Sequence, residues 1–347
     1  MDLSKIFMKN ACPTKIGGQA VMEGIMMQGP DRLATVIRNP HGGMRIRVTP
    51  RKKASPWKKL PVIRGVLSFL SSMVTGCSIL MYSAEVLEDF EKEGPKDPKE
   101  NKDKLTLFLE KHFGEKAALD VMLYSSVFFA IIFTVGIFII LPTVLINFCR
   151  NFTQNDLLLN LMEGILRILL FVGYVAIIAK MEEIRRVFQY HGAEHKTIHC
   201  YENGLELTPE NAQSFETLHP RCGTSFMVFV MIISLLLFSL MGWPNLVMRV
   251  VSRLALLPVV AGLSYEVLQW AGRSDSGLVK ALSVPGIALQ KLTTRRPDES
   301  QLEVAITAMK AVLSDDWKGE ALIIADIAED MTVTRRPDLE EAELSKK

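Results

Sequence analysis

The sequence has almost no net charge, since 40 lysines and arginines stand against 38 aspartates and glutamates and leave +2 at neutral pH. Such a balance gives no basic surface that would attract nucleic acids, and no nucleic-acid-binding motif is present, so we exclude that class of partner. The five cysteines are odd in number and scattered, which excludes a disulfide framework. The first ten residues lack the apolar run of a signal peptide, so we expect membrane entry through internal segments.

Apolar residues, in contrast, make up 49% of the chain and are collected into long runs with few charges. The mean hydropathy of +0.21 is high for a soluble protein of this size. A helix needs about 20 apolar residues to cross a bilayer, and four runs reach this length. We predict transmembrane helices at 121–146, 157–180, 225–242 and 247–271. The second contains Glu163 and Arg167, which are four positions apart and can pair on one helix face.

A fifth run, residues 65–84, is free of charged side chains, but its pattern of residues differs from that of the other four. Small polar residues recur along one helix face: Ser68, Ser71, Ser72, Thr75 and Ser78. Such a face suits close helix packing or an interfacial position better than lipid on all sides. Lysines and arginines are frequent on both flanks, so the positive-inside rule places both flanks in the cytoplasm. We therefore predict a re-entrant or interfacial helix.

The remaining segments predict smaller soluble parts. Residues 17–50 have the pattern of a small β unit, with a hairpin where a glycine-rich turn separates 33–38 from 44–49. Asp298 precedes an amphipathic pattern and predicts a capped helix. The last dozen residues have the composition of a disordered tail.

These patterns predict a mainly α polytopic membrane protein with about four transmembrane helices, one re-entrant or interfacial helix and a small N-terminal β unit. The predicted divisions are a cytoplasmic β unit (1–60), the re-entrant helix (61–84), a charged cytoplasmic linker (85–120), a four-helix membrane domain (121–271) with a cytoplasmic connector (180–225), and a cytoplasmic tail with the amphipathic helix (272–347). Both termini are expected in the cytoplasm. The lipid bilayer is the expected partner, whereas protein partners and a homo-oligomer are left open.

The densest group of metal-ligand residue types lies in the predicted connector. His191 and His195 are four positions apart, so on one helix their side chains share a face and can bind one metal ion. Glu194 stands between them in the order H-x-x-E-H, which is known from inverzincin metallopeptidases. In such sites the histidines bind zinc and the glutamate acts as general base. The alternative is that these histidines only form hydrogen bonds near a membrane surface.

A catalytic zinc usually needs a third protein ligand. The string L-H-P-R-C-G offers His219 and Cys222, and Cys222 directly precedes an apolar run, where a helix N-terminus would stabilise its thiolate. Glu202 could join only if the helix ends first, and Asn203-Gly204 predicts such an end. For His199 and Cys200 a packing role is favoured over metal binding. The predicted cofactor is a divalent transition metal, with zinc preferred.

A glycine-rich string near the N-terminus, G-G-Q-A-V-M-E-G, offers two further polar candidates. Glu23 lies among apolar residues, where a carboxylate is costly without a partner. It could complete the metal site, but a structural pair with an arginine of the β unit is slightly favoured. Gln19 is a candidate polar contact of the same site.

Four strings occur in this order in one known bacterial family: G-G-Q-A-V-M-E-G-I-M-M-Q-G-P from Gly17, H-G-A-E-H-K-T-I from His191, H-P-R-C-G-T-S-F from His219 and P-G-I-A-L-Q-K-L-T-T from Pro285. The chain resembles the YqhQ-like family over roughly residues 17–309. The resemblance implies a bacterial membrane protein, hence the inner membrane, and a metal-dependent enzyme of unknown reaction. It supplies no catalytic residue.

The sequence thus favours a membrane-embedded, metal-dependent hydrolase that faces the cytoplasm, with Glu194 as its base. The sequence does not distinguish between a peptide substrate and a membrane-associated ester or phosphoester. One alternative is a non-catalytic membrane scaffold, in which a structural metal or a hydrogen-bond knot ties the connector to the β unit. A second alternative is a transporter or channel, which the few charges in the predicted spans disfavour.

Overall fold

The chain is mainly helical in the computed structural model, which describes residue 12 and residues 14–51, 60–93, 115–242, 245–271, 276–315 and 320–345. The strands are β1 (Gly17–Val21), β2 (Gly24–Gln28), β3 (Arg32–Arg38), β4 (Met44–Pro50), β5 (Ile323–Ile327) and β6 (Val333–Arg335). The helices are α1 (Ile63–Glu93), α2 (Glu115–Val135), a π-helical turn (Gly136–Ile140), α3 (Leu141–Cys149), α4 (Asp156–Ile178), α5 (Glu182–Glu202), α6 (Pro209–Gln213), α7 (Thr224–Ser239), α8 (Leu246–Ala271), α9 (Gly277–Thr293), α10 (Glu299–Leu313) and α11 (Pro337–Ser345).

The six strands form one antiparallel sheet in the order β1-β2-β3-β4-β5-β6. The predicted hairpin is confirmed, because β3 and β4 pair from Arg38↔Met44 to Arg32↔Pro50. Its turn needs glycine, since Gly42 and Gly43 have φ angles of 106° and 79°.

The sheet also takes strands from the other end of the chain. β5 pairs with β4, and Ile323 and Ile327 of β5 are buried in the core. The prediction of a disordered tail was wrong, because α11 follows β6 and is tied back to the sheet. Its Glu340 accepts the backbone N–H of Ile324 and pairs with Arg335. Local composition could not reveal these partners, which lie in another element.

Side-chain alternation along the strands gives the sheet two buried faces. On one face, Ile25 and Val36 pack with α5 and α10 in the main core. On the other face, Met26 and Ile37 lie in clusters with residues of α1. Neighbouring residues of a strand point to opposite faces, so the sheet lies between α1 and the α5–α10 pair. The capped amphipathic helix is confirmed as α10, with Asp298 as its N-cap in a capping box.

Helix α1 is longer than the predicted re-entrant helix and runs to Glu93. It continues into the segment predicted as a charged linker because Tyr82, Val86 and Phe90, at helical spacing, are buried against Ile37 of the sheet. The segment 115–120 is helical as well, and residues 94–114 lie outside the described residues.

Among the residues that the structure describes, four helical segments are long and apolar enough to cross a membrane: Ile63–Glu93, Ser125–Cys149, Asp156–Ile178 and Val247–Ala271. The number agrees with the prediction, but the set differs. α7, in the predicted third span, has 16 residues, which is roughly 24 Å of helix. The set instead includes α1, for which a re-entrant or interfacial position stays a prediction.

The chain divides into two compact units. The sheet unit comprises residues 1–94, 175–230 and 258–347, and it contains the sheet with α1, α5, α6, α9, α10 and α11. The helical unit comprises residues 95–174 and 231–257. The predicted connector and tail therefore share one core with the N-terminal strands.

Candidate metal centre

The H-x-x-E-H string lies on α5, a separate helix rather than a continuation of α4. α4 ends at Ile178, and the extended backbone of Met181 precedes α5. Glu182 and Glu183 stand in the first turn of α5, where negative charge is favourable. The helix ends at Glu202, followed by Gly204 with a φ of 70°. The predicted end at Asn203-Gly204 is confirmed.

His191 and His195 present their Nε2 atoms on the same side of α5. Their ring centroids are 4.4 Å apart. The Nδ1 of His191 is 2.8 Å from the carbonyl oxygen of Thr293, and the Nδ1 of His195 is 2.6 Å from that of Thr217. A carbonyl can only accept, so both Nδ1 atoms carry the proton. In the neutral form of each ring the lone pair is therefore on Nε2, which is the arrangement usual in metal-binding histidines.

Cys222 completes a group of three potential ligands. Its Sγ is 3.1 Å from His191 Nε2, and one ligand atom from each of His191, His195 and Cys222 lies within 4.8 Å of the others. Thr224, in the first turn of α7, donates its hydroxyl to the same Sγ at 3.4 Å. The predicted position of Cys222 at a helix N-terminus is confirmed.

The buried cysteine and its histidine neighbours shift each other's protonation. Burial raises the pKa of Cys222, but the two histidines outweigh it and hold that pKa well below its ordinary value. For His191, burial lowers the pKa, but the charge and hydrogen bond of Cys222, the charge of Glu194 and the hydrogen bond to Thr293 together outweigh it, and the pKa rises to about 9. The lowered pKa favours the thiolate form of Cys222, which is the form that binds metals.

Glu194 is buried beside this group and faces β1. Burial raises the pKa of its carboxyl group, and the nearby His191 and His195 oppose that rise. The carboxylate accepts a backbone hydrogen bond from Gly18. A Cβ atom at Gly18 would lie 3.0 Å from the Glu194 carboxyl carbon, so glycine allows this close approach. The glycine-rich string therefore contributes backbone to the site.

His219 lies next to the group of three but outside it. Its ring centroid is 5.5 Å from that of His195, and its Nε2 is 3.8 Å from a Glu202 oxygen. Gln290 of α9 fixes the His219 backbone through two hydrogen bonds of 2.8 Å. Burial lowers the pKa of His219. The arrangement directs this ring toward Glu202 rather than toward Cys222.

Glu202 joins the end of α5 to the N-terminal segment. Its carboxylate accepts hydrogen bonds from the backbone and hydroxyl of Thr14 at 2.8 and 2.9 Å, and it forms an ion pair with Arg221. Burial raises its pKa, but the neighbouring His219, the hydrogen bond from Thr14 and the charge of Arg221 together prevail and lower it to about 2. Glu202 is therefore a structural anion rather than a member of the group of three.

The other candidates also lie outside that group. His199 Nε2 donates to the Leu218 carbonyl at 3.0 Å, and burial lowers its pKa to about 3. Cys200 is buried in the main core. Glu23 pairs with Arg186, so its partner is an arginine of α5 rather than of the β unit. Gln19 donates to the Gly76 carbonyl of α1 at 3.4 Å.

Sequence reasoning missed the groups that orient the two histidines. Backbone carbonyls of Thr217 and Thr293 have no signature in the side-chain sequence. One signal was present in Gly192, between the histidines. A Cβ atom there would lie 2.0 Å from the Arg295 carbonyl oxygen, so only glycine lets the segment after α9 pack on α5.

Residues 60–315 match the family model described as "Protein of unknown function (DUF1385)". The chain belongs to this family. It is 35% identical over 311 residues to the "Uncharacterized protein YqhQ" of Bacillus subtilis (strain 168), with 88% of this chain and 94% of that protein covered. The resemblance to YqhQ-like proteins is therefore confirmed. No solved structure matches the chain.

Proposed function

We propose that this protein is a metal-dependent hydrolase, with His191, His195 and Cys222 as ligands and Glu194 as general base. One observation carries the proposal: both histidines donate Nδ1–H to backbone carbonyls and present Nε2 beside the Cys222 sulfur. Histidines that only hydrogen-bond would not need this shared orientation.

The donor set fits zinc better than a hard cation. Two imidazoles and one thiolate are borderline to soft donors, which Zn²⁺ accepts and Mg²⁺ or Ca²⁺ do not prefer. Three protein ligands leave one position of a tetrahedral ion for water or substrate. A divalent ion in such a site acts as a Lewis acid and makes water nucleophilic at neutral pH.

Glu194 has the properties of a proton acceptor for this chemistry. A general base works best when its pKa lies near the working pH, and burial raises the Glu194 pKa in that direction. The hydrogen bond from Gly18 fixes the carboxylate on the side of the group that faces β1. Glu194 would take a proton from the attacking water and return it to the leaving group.

We place the substrate at the membrane surface. Cys222 lies two residues before the apolar helix α7. α1 contacts Gln19 of β1 through Gly76, and it exposes Leu70, Met73 and Val74. Such a surface suits a membrane-associated peptide, ester or phosphoester.

We further propose that the protein lies in the bacterial inner membrane with both termini and this site in the cytoplasm, as the lysine and arginine distribution indicates.

The scaffold alternative rests on the burial of the site. His195 and Glu194 are 1% and 6% exposed, which also suits a closed structural site in which Glu194 is a fourth ligand. The two functions make opposite predictions for a Glu194→Gln variant.

The test is a hydrolase screen on the full-length protein in lipid–detergent micelles, with peptide, ester and phosphoester substrates. We expect Glu194→Gln to keep its metal and its melting temperature but to lose activity by about 10²–10⁴-fold. Glu206→Gln, an exposed carboxylate after the same helix, is the matched control and keeps full activity. A Glu194→Gln variant that loses the metal, together with an inactive wild type, would favour the scaffold.

A further inference from the structure

The helical unit buries a group of charged side chains among its apolar helices. Glu163 of α4 is 1% exposed and Arg253 of α8 is 4% exposed. One carboxylate oxygen of Glu163, Oε1, accepts from Arg253, from Arg167 at 3.0 Å and from the Thr143 hydroxyl at 2.7 Å. Arg253 also donates to the Asn160 side chain at 3.2 Å. We call these five residues the arginine cluster.

The arginine cluster carries more positive than negative charge. Among the residues that the structure describes, Glu163 is the one acidic side chain that contacts Arg167 or Arg253. Two guanidinium groups therefore share one carboxylate. A buried charge without a counter-charge is costly, and within a membrane segment such residues usually mark a functional site. The excess of one positive charge calls for an anion.

A second observation concerns the other carboxylate oxygen of Glu163. Its Oε2 is buried and accepts no hydrogen bond within the described structure, because the donors that contact Glu163 all bind to Oε1. An open acceptor beside excess positive charge fits a ligand that has both anionic oxygens and a hydroxyl proton. The anionic oxygens would face the guanidinium groups, and the hydroxyl would donate to Oε2.

Such a ligand would contact the arginine cluster first at Arg167. Its Nε donates to the Phe138 carbonyl of the π-helical turn at 2.8 Å, and its Nη2 donates to Glu163. These two bonds leave Nη1 for a further acceptor, and the Arg167 side chain is 14% exposed. The helical unit also exposes Phe148 and Leu169, so acyl chains can lie along its helices.

We propose that the arginine cluster binds a ligand that contains both a phosphate group and a hydroxyl group. Planar guanidinium groups match phosphate oxygens and bind them through paired hydrogen bonds. Two sources share this chemistry: the headgroup of phosphatidylglycerol and free hydrogenphosphate. This site is independent of the candidate metal centre and of the hydrolase proposal.

The experiment is native mass spectrometry of the full-length protein, titrated with phosphatidylglycerol or phosphatidylcholine that have identical acyl chains. We expect the wild type to bind phosphatidylglycerol roughly tenfold more tightly, a difference of about 1.4 kcal/mol. Arg167→Gln abolishes this preference. Arg167→Lys keeps the positive charge but weakens the preference, because the planar guanidinium group is lost. Arg335→Gln, which removes an exposed arginine of β6, is the matched control and leaves the preference unchanged.

Inorganic phosphate, added at millimolar concentration, separates the two sources. Displacement of phosphatidylglycerol by phosphate identifies free phosphate as the ligand, and no displacement identifies the lipid. Equal binding of both lipids by the wild type, with no displacement of either lipid by phosphate, would overturn the proposal. An unchanged lipid preference in a folded Arg167→Gln protein would overturn it as well. The cluster would then be a polar contact between helices. If Arg167→Gln fails to fold, the wild-type preference and Arg167→Lys decide.

Discussion

At the scale of single residues, the candidate metal centre depends on two backbone carbonyls that fix the histidine rings. Thr293 accepts from His191, and Thr217 accepts from His195. Such second contacts set which ring nitrogen is free and are often as important for metal affinity as the ligands themselves. Residues that position these carbonyls should therefore affect metal binding without contacting the metal.

Gly192→Ala tests this positioning. Its Cβ would meet the Arg295 carbonyl oxygen at 2.0 Å, so the segment that carries Thr293 must move away from α5. We expect a loss of about 1–3 kcal/mol of stability from overpacking, with weaker metal binding, measured as melting temperature and metal retention against a chelator. Gly223→Ala, where no atom lies within 4 Å of the added Cβ, is the control. A Gly192→Ala protein as stable and as metal-retentive as the control would contradict this account.

Glu202 predicts a pH dependence of stability. Its pKa is lowered from 4.5 to about 2 in the folded protein, so the unfolded chain binds more protons between these values. The stabilisation is fully present above pH 4.5 and is lost as the pH falls toward 2.

The measurement for Glu202 is the difference in melting temperature between the wild type and Glu202→Gln. We expect this difference to be largest at neutral pH and to shrink as the pH falls from 4.5 toward 3. Glu206→Gln, which removes an exposed carboxylate, should show a small difference at every pH. A difference for Glu202→Gln that does not change with pH would show that its carboxylate is not the source of the stabilisation.

Much of the site could be predicted from spacing, and part of it could not. The interval of four between His191 and His195 gives a shared helix face wherever a helix forms. Cys222 was one of several open candidates, and only the three-dimensional arrangement separates it from His219. The direction of the His219 ring depends on Glu202 and Gln290, which are distant in sequence from each other.

At the scale of elements, α1 shows how one helix can serve two environments. Its first half exposes Leu70 and Val74, whereas Tyr82, Val86 and Phe90 of its second half pack on the sheet. The sequence predicted the apolar half, because the run is free of charge. It did not predict the second half, because Val86 and Phe90 are apolar positions among charged residues and their partner strand lies far away along the chain.

The re-entrant or interfacial position of α1 predicts that both of its ends lie on the same side of the membrane. Single cysteines at Leu60 and Glu91, both exposed, would then react with an impermeant maleimide from the same side. The exposed Cys12 and Cys77 are first replaced by serine, and that protein is the unlabelled control. Labelling of the two positions from opposite sides would show instead that α1 crosses the membrane.

At the scale of the whole molecule, one core joins segments from the start, middle and end of the chain. Met27 of β2, Tyr190 of α5, Leu302 of α10 and Ile323 of β5 lie in the same cluster. Of these four elements, the sequence indicated β2, α5 and α10 but not β5, and it did not indicate their association. β4 can accept β5 because antiparallel pairing needs only a free strand edge, and no local pattern says which segment will occupy it.

The most direct test of the central claim is the metal content of the purified full-length protein by elemental analysis. We predict about one zinc or other transition metal ion per chain, lost in His191→Ala/His195→Ala and in Cys222→Ser. His41→Ala, which removes an exposed histidine of the hairpin turn, should retain it. A wild type without metal that also fails to take up added zinc, or ligand variants with unchanged metal content, would contradict the assignment of these three residues as a metal centre.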